Sequence, residues 1–301
     1  MSQDKVKEAA KFPKGKIAAI CSVVVLLAIA GILVFIFTKS DSPKDYSYKL
    51  TVTDATITGL ENKGLESLKI PSSIDGVPVT KIGENAFANC TAITSVKLPD
   101  TLTTIGSTAF DGCVSLESIN IPNSTVSIGS GCFSGCISLK SLSLPDSVTE
   151  IGPFAFANCT ELTKINIPEG VTQISTKTFI GCSKLKSVNI PEHVADIGGA
   201  AFCNCSSLKK ITIPNYVTHI AASAFEGCSS LTKVEIPKSV TGISSYAFYK
   251  CEGLTRVDIP LTVKDIQGHA FDDCPNLTIY GVKGSRAEIY ARANNIPFKE
   301  L

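Results

Sequence analysis

The sequence predicts an α/β-type solenoid rich in short parallel β-strands, preceded by one transmembrane helix. Three observations support this prediction. A phenylalanine recurs nine times at intervals of 23 residues, and a cysteine follows each of them three residues later. Residues 17–37 contain no charged side chain and are mostly apolar. Repetition at a fixed period is typical of folds in which each unit covers the apolar side of the next.

The N-terminal region predicts a membrane anchor. Residues 1–16 carry five lysines and two acids and are expected to form a basic cytoplasmic tail. At about 1.5 Å per residue, a helix over residues 17–37 would span roughly 30 Å, the thickness of the hydrocarbon core. The cationic flank places the N-terminus in the cytoplasm. We therefore expect a single-pass protein of the cell membrane whose C-terminal part, after a linker at 38–45, is extracellular.

A cleaved signal peptide is the alternative interpretation of this region. It has the same order of a basic start and an apolar run. However, the apolar part of a signal peptide usually has about 7–15 residues and ends at small residues. The run in this chain is longer, and Val34–Thr38 at its end offers few small side chains.

The repeat unit itself predicts a strand. Residues 162–184 have the pattern L-x-x-I-x-I-P-x-x-V-x-x-I-x-x-x-[AT]-F-x-x-C-x-x. By the two-residue alternation of a strand, Ile165 and Ile167 point inward, whereas Lys164 and Asn166 point outward.

The rest of the unit predicts how one coil closes. Pro168 ends the first strand because it has no N–H to donate to a ladder. Residues 171–174 favour a second extended piece, and residues 179–182 favour a helical or turn corner. Repeats over residues 77–282, stacked at about 4.8 Å per coil, would give a rod on the order of 40–45 Å long for nine coils.

Both ends of the stack require caps. Residues 46–76 contain an alternating apolar pattern that favours an N-terminal capping hairpin. Residues 283–301 favour a C-terminal cap helix, because Ser285 and Glu288 form a capping-box pattern. The side chains expected to cover the last coil are Ile289, Tyr290 and Ala293.

The unit resembles the BspA-like class of leucine-rich repeats. The segments Leu162–Pro168 and Ile105–Cys113 carry the specific motif, and the resemblance covers roughly residues 46–301. It implies a right-handed coil stack and a non-enzymatic surface protein, since members of this class are associated with adhesion to host or microbial surfaces. It transfers no particular ligand.

Catalytic, cofactor and metal chemistry is not expected. The three histidines, His193, His219 and His269, fall in three different columns of the repeat. No C-x-x-C pair is present, so a zinc site is not predicted. The part of the chain after residue 16 has 23 basic and 25 acidic residues, which gives little attraction to nucleic acid.

The repeated cysteines allow two interpretations. As members of the apolar register they are expected to be reduced core thiols. An extracellular location would favour oxidation, and neighbouring coils would bring thiols close to disulfide distance. Cys132 and Cys203 lie off the register and are the more reactive candidates.

The outward strand positions form the candidate ligand-binding face, and we expect an extracellular protein or glycan as its partner. Glu235 and Asp258 adjoin two of its cations, so a solvated, self-paired face is the alternative, with the protein acting as a structural spacer without a specific ligand. The candidate residues are Lys164, Lys210, Lys233, Arg256, Asn166 and Asn189.

Overall fold

The computed structural model describes residues 25–29, 32–36 and 45–301. Residues 46–301 form one stack of coils, and neighbouring coils pair through parallel strands, as predicted. In each coil the strand before the proline is called the first strand. The first strands are Ser67–Lys69, Ser95–Lys97, Ser118–Asn120, Ser141–Leu142, Lys164–Asn166, Ser187–Asn189, Lys233–Glu235, Arg256–Asp258 and Thr278–Gly281.

A second row of strands follows the prolines. These second strands are only two residues long in most coils because Gly, Ser or Ala soon turns the chain. They pair in parallel, for example Ile174 with Ile197. The second strands are Val77–Ile82, Thr104–Ile105, Ser127–Ile128, Glu150–Ile151, Gln173–Ile174, Asp196–Ile197, His219–Ile220, Gly242–Ile243 and Asp265–Ile266.

A tight turn, here called the corner, closes each coil. The Phe179 N–H donates to the Ala201 carbonyl of the next coil at 2.9 Å, and the Gly181 N–H donates to the Cys203 carbonyl at 2.8 Å. The corners therefore form a third hydrogen-bonded row, which satisfies backbone groups that would otherwise be buried without a partner.

The repeated phenylalanines fill the interior, as the period predicts. All nine rings, from Phe87 to Phe271, are at most 1% exposed. Neighbouring centroids lie between 5.1 Å (Phe87 to Phe110) and 5.7 Å (Phe133 to Phe156) apart, and the planes are nearly parallel. We call this column the phenylalanine spine.

Each ladder thiol has a backbone partner. The Cys182 Sγ–H donates to the Phe156 carbonyl of the preceding coil at 3.1 Å, and the same contact recurs from Cys113 to Cys274 at 3.1–3.3 Å. The cysteines at 90–274 are free thiols, and Cys132 is fully buried. Because burial raises the pKa of Cys132 well above its usual value, the prediction that it is a reactive thiol is wrong.

Each corner contains a residue with positive φ two positions after its spine phenylalanine. Asn89, Asn158 and Asn204 have φ between 57° and 60°, and Gly181 shares their position in another coil. Asn and Gly accept this left-handed conformation more easily than other residues. Asparagine therefore recurs at this position for a backbone reason.

The N-terminal cap is an antiparallel hairpin. Tyr46–Leu50 pairs with Ala55–Leu60, which continues into the second-strand row through Val77–Ile82, and Ser73–Ile74 adds a short antiparallel strand there. The Tyr46 ring meets the first spine ring edge-on, with a centroid distance of 6.4 Å and an interplanar angle of 85°.

The C-terminal cap comprises the helix Arg286–Ala293 and the strand Phe298–Glu300, which pairs in parallel with Thr278–Gly281. Tyr290 is buried and meets Phe271 edge-on at 5.9 Å. Ile289 is 54% exposed, and Ala293 is also exposed. The expectation that these two cover the last coil is wrong.

The predicted capping box of this helix is not formed, because Glu288 accepts a hydrogen bond from the residue before the N-cap Ser285 and not from Ser285 itself. The Gly284 N–H donates to Glu288 Oε2 at 2.6 Å, which lowers the pKa of the Glu288 carboxyl. The Ser285 side chain makes no capping hydrogen bond. The pattern located the helix start but did not fix which face turns inward; Ala287, Tyr290 and Ala291 occupy that face.

The apolar N-terminal run differs from its predicted helix where it is described. Val25–Ile29 pairs antiparallel with Ile32–Ile36. Val, Ile and Phe favour strands as well as burial, so an apolar run does not by itself select a helix. Within the described ranges, no helix has the length and apolarity needed to cross a membrane. Residues 1–24, 30–31 and 37–44, which include the predicted tail and most of the linker, lie outside the described residues.

Candidate ligand-binding face

The outward side chains of the first strands form one surface, called the first-strand face. The ladder sets its register, because Lys164 pairs with Ser141 on one side and with Ser187 on the other. The inward neighbour Ile165 is buried, whereas Lys164 and Asn166 are exposed. The ladder thus holds the outward side chains of consecutive coils in a fixed arrangement on one stiff surface.

Two of the predicted cations on this face are neutralised by their neighbours. The Lys233 Nζ lies 2.6 Å from Glu235 and 3.8 Å from Asp258. Arg256 donates to both oxygens of Asp258, at 2.6 and 3.1 Å. This hydrogen bonding raises the pKa of the Arg256 guanidinium.

Arg256 is held from its other side as well. Its guanidinium carbon lies 4.0 Å from the centroid of the Tyr280 ring on the next first strand, which is a cation–π contact. The C-terminal end of the first-strand face is therefore self-paired and leaves little net charge for a ligand.

The middle of the face is different. Lys164 and Lys210 are exposed, and Lys186 and Lys209 lie beside them just ahead of their first-strand positions. Within the described residues none of these four forms an ion pair or a side-chain hydrogen bond. We call them the lysine patch. The alternation rule missed Lys186 and Lys209 because they precede the strands, and the adjacent Lys-Lys pair at 209–210 was the signal that could have revealed them.

The strand ladder is interrupted at the lysine patch. Residues 210–212 occupy a first-strand position but form no ladder, so Ser187–Asn189 and Lys233–Glu235 end separate sheets. Ile211 remains buried at this position. The ladder is likewise interrupted between Ser118–Asn120 and Ser141–Leu142, so an interruption is not particular to the lysine patch.

The predicted asparagines have two distinct roles. Asn166 Nδ2 donates to the Leu144 carbonyl at 2.8 Å, and the Leu144 N–H donates to Asn166 Oδ1 at 3.0 Å. Asn120 bridges to Leu98 in the same way. Asn189 is exposed and makes no such bridge. Asn166 therefore stabilises the stack, whereas the Asn189 amide is available to a ligand.

We expect Asn166→Ala to lower the free energy of unfolding by about 1–3 kcal/mol, because the buried Leu144 backbone would lose two partners. Asn189→Ala is the matched control and should change it by less than about 0.5 kcal/mol. Urea titration of both variants followed by circular dichroism measures the difference. Equal stabilities would contradict the bridging role.

The histidines lie on separate surfaces. His219 Nε2 lies 2.8 Å from Ser244 Oγ, His269 Nδ1 lies 2.6 Å from Asp272, and His193 packs against Tyr216. Within the described residues, no group of three or more His, Cys, Asp or Glu side chains could hold a metal ion.

The sequence of the coil stack matches one known family. The family described as BspA type Leucine rich repeat region (6 copies) matches residues 58–186 and 172–295. A leucine rich cell surface protein from Faecalibacterium prausnitzii A2-165 is 27% identical over 83% of this chain and 96% of that chain, with a TM-score of 0.42. A leucine rich repeat protein of T. pallidum is 34% identical over 56% of this chain and 90% of that chain, with a TM-score of 0.49. Among curated proteins no match was found.

Proposed function

Because the chain belongs to the BspA-type leucine-rich repeat proteins, we propose that it is a non-enzymatic recognition protein that binds an extracellular protein or glycan through its first-strand face. The lysine patch carries this proposal, since Lys164, Lys186, Lys209 and Lys210 are exposed cations that the described structure leaves unpaired. Unpaired cations on a stiff surface attract an anionic partner, and a preorganised surface loses little entropy on binding.

A charge-reversal experiment tests the proposal. We expect Lys209→Glu with Lys210→Glu in the full chain to weaken binding to heparin, an acidic glycan used as the probe, by about tenfold, mainly through slower association. The control is Lys238→Glu with Lys283→Glu, which changes the net charge equally at exposed positions away from the first-strand face. Surface plasmon resonance measures both rates.

The outcomes separate recognition from a spacer role. If the two double variants bind heparin equally, the lysine patch is not the binding site. If none of the proteins binds heparin or intact cells, the self-pairing of Lys233 and Arg256 with their acidic neighbours would favour a structural spacer.

We further propose that the apolar N-terminal run anchors the protein in the cell membrane with the stack outside. The five lysines ahead of it and its length support this. A pair of short strands leaves backbone groups unpaired on its edges, so in hydrocarbon the run would instead satisfy them as a helix. Protease treatment of intact cells with a tag at each terminus should remove only the C-terminal tag; loss of neither tag would contradict this topology.

A further inference from the structure

A second column of left-handed residues runs along the corners, two residues ahead of each spine ring. Its side chains reach the surface, apart from that of Ala200, because the spine ring and the small residue before it occupy the interior. Ala200, Ser223, Tyr246 and His269 occupy this column in four consecutive coils, and all have φ between 54° and 63°. In this column the short side chains of Ala200 and Ser223 are therefore followed, in the next two coils, by the rings of Tyr246 and His269.

The Tyr246 ring has one covered and one open face. His269 covers one face, with centroids 5.2 Å apart and planes 13° from parallel, and Tyr249 meets Tyr246 at 5.4 Å and 79°. The opposite face looks toward Ser223 and Ala200, which are too short to cover it. Tyr246 is 41% exposed, and within the described residues no second ring stacks parallel to it and no cation lies over it.

One acidic residue, Glu226, lies in the coil toward which this open face looks. Glu226 occupies, one coil earlier, the corner position of Tyr249, whose ring meets Tyr246 at 5.4 Å. Asp272 and Asp273 lie in the next coil, on the side of the ring that His269 covers, and Asp272 is 2.6 Å from His269 Nδ1. The cation nearest to these acids in the sequence, Lys250, is already placed over the Tyr249 ring at 5.0 Å.

Elsewhere in the protein, a lysine lies over an aromatic ring at the same corner position. The Lys177 ammonium lies 5.2 Å from the centroid of Phe154, and both residues belong to the corner column that contains Tyr246. The ring quadrupole attracts a cation, and a nearby carboxylate adds to that attraction. Tyr246, with a free face and with Glu226 nearby, has the two features that attract a cation.

We propose that the open face of Tyr246, together with Glu226, binds an organic cation, either a quaternary ammonium or a guanidinium group. The Tyr246 ring receives the cation, the short side chains of Ser223 and Ala200 leave room for it, and the Glu226 carboxylate balances its charge. This site lies on the corners and is separate from the first-strand face, so it can be tested independently of the proposed function.

Tyrosine fluorescence of the full chain provides the readout, because the protein contains no tryptophan. We expect choline and N-acetyl-arginine amide to be bound more tightly than the uncharged isostere of choline in which carbon replaces nitrogen. Tyr246→Leu should weaken cation binding about tenfold and Glu226→Gln several-fold, whereas Tyr246→Phe, which keeps the ring, should retain it.

Tyr216→Leu is the matched control, because Tyr216 is also exposed and packs against a histidine, His193. Binding of choline alone would indicate a quaternary ammonium ligand, and binding of the arginine amide alone would indicate an arginine side chain of a partner protein. The proposal is overturned if the isostere or a neutral sugar binds as tightly as choline, or if Tyr216→Leu has the same effect as Tyr246→Leu.

Discussion

Replacing Phe156 with alanine is expected to lower the free energy of unfolding by about 3–5 kcal/mol. The ring is fully buried between Phe133 at 5.7 Å and Phe179 at 5.5 Å. Its removal leaves a cavity in the middle of the spine and ends two stacking contacts at once. Since a repeat array is stabilised mainly between nearest neighbours, we also expect the unfolding transition to broaden as the two halves uncouple.

The matched control is Phe154→Ala, only two residues away. Phe154 is 40% exposed, and its recorded contact is with the Lys177 ammonium. Its removal should change the free energy of unfolding by less than about 1 kcal/mol. Guanidinium titrations of both variants give the comparison, and equal losses would mean that the spine does not hold the stack together.

Alkaline pH is expected to unfold the protein abruptly between about pH 9 and pH 11. Burial raises the pKa of Cys182 to about 12 and that of Cys136, Cys159 and Cys205 well above the usual value. A thiol in the unfolded chain has a pKa of about 8.5. At a pH below that value, the buried thiols do not change the free energy of unfolding. At a higher pH the unfolded chain releases protons that the folded chain retains, so the free energy of unfolding falls as the pH rises.

The effect is large because the thiols act together. Each contributes about 1.4 kcal/mol per pH unit in this window, so these four thiols alone would remove roughly 6 kcal/mol per unit. That is comparable with the whole stability of a typical domain, about 5–15 kcal/mol. Circular dichroism and the ultraviolet absorbance of thiolate, followed together under reducing conditions, should change in a single transition.

Substitution tests the assignment to the thiols. Cys159→Ser with Cys182→Ser keeps a donor for each phenylalanine carbonyl but removes two titrating groups, so the loss of stability should become less steep by about two protons. Thiolate absorbance that appears while the ellipticity stays native would show that the ladder thiols are accessible and would contradict the prediction.

The coil stack was predictable because its period is strict. Once Phe133, Phe156 and Phe179 recur at 23 residues, parallel coils are the arrangement that buries all of them on one axis, and the structure confirms it. Outward Lys164 and inward Ile165 follow from alternation along the strand.

Features that depend on contacts between coils were not predictable in the same way. Asn166 and Asn189 occupy equivalent positions, yet only Asn166 bridges to the preceding coil. The alternation rule also cannot place Lys186 and Lys209, which precede their strands. At the C-terminal cap, the helix rotation depends on how the Tyr290 ring meets the spine, and a capping pattern carries no information about that contact.

The edge-on tyrosines at the two ends have a consequence for assembly. A column of parallel rings has no natural stopping point, because its last ring offers the same surface that every inner ring already covers. Tyr46 and Tyr290 turn through roughly a right angle to that column, at 85° and 69°, so a second molecule arriving end-on finds no matching plane on which to continue. The caps thereby oppose end-to-end association of molecules into a fibre.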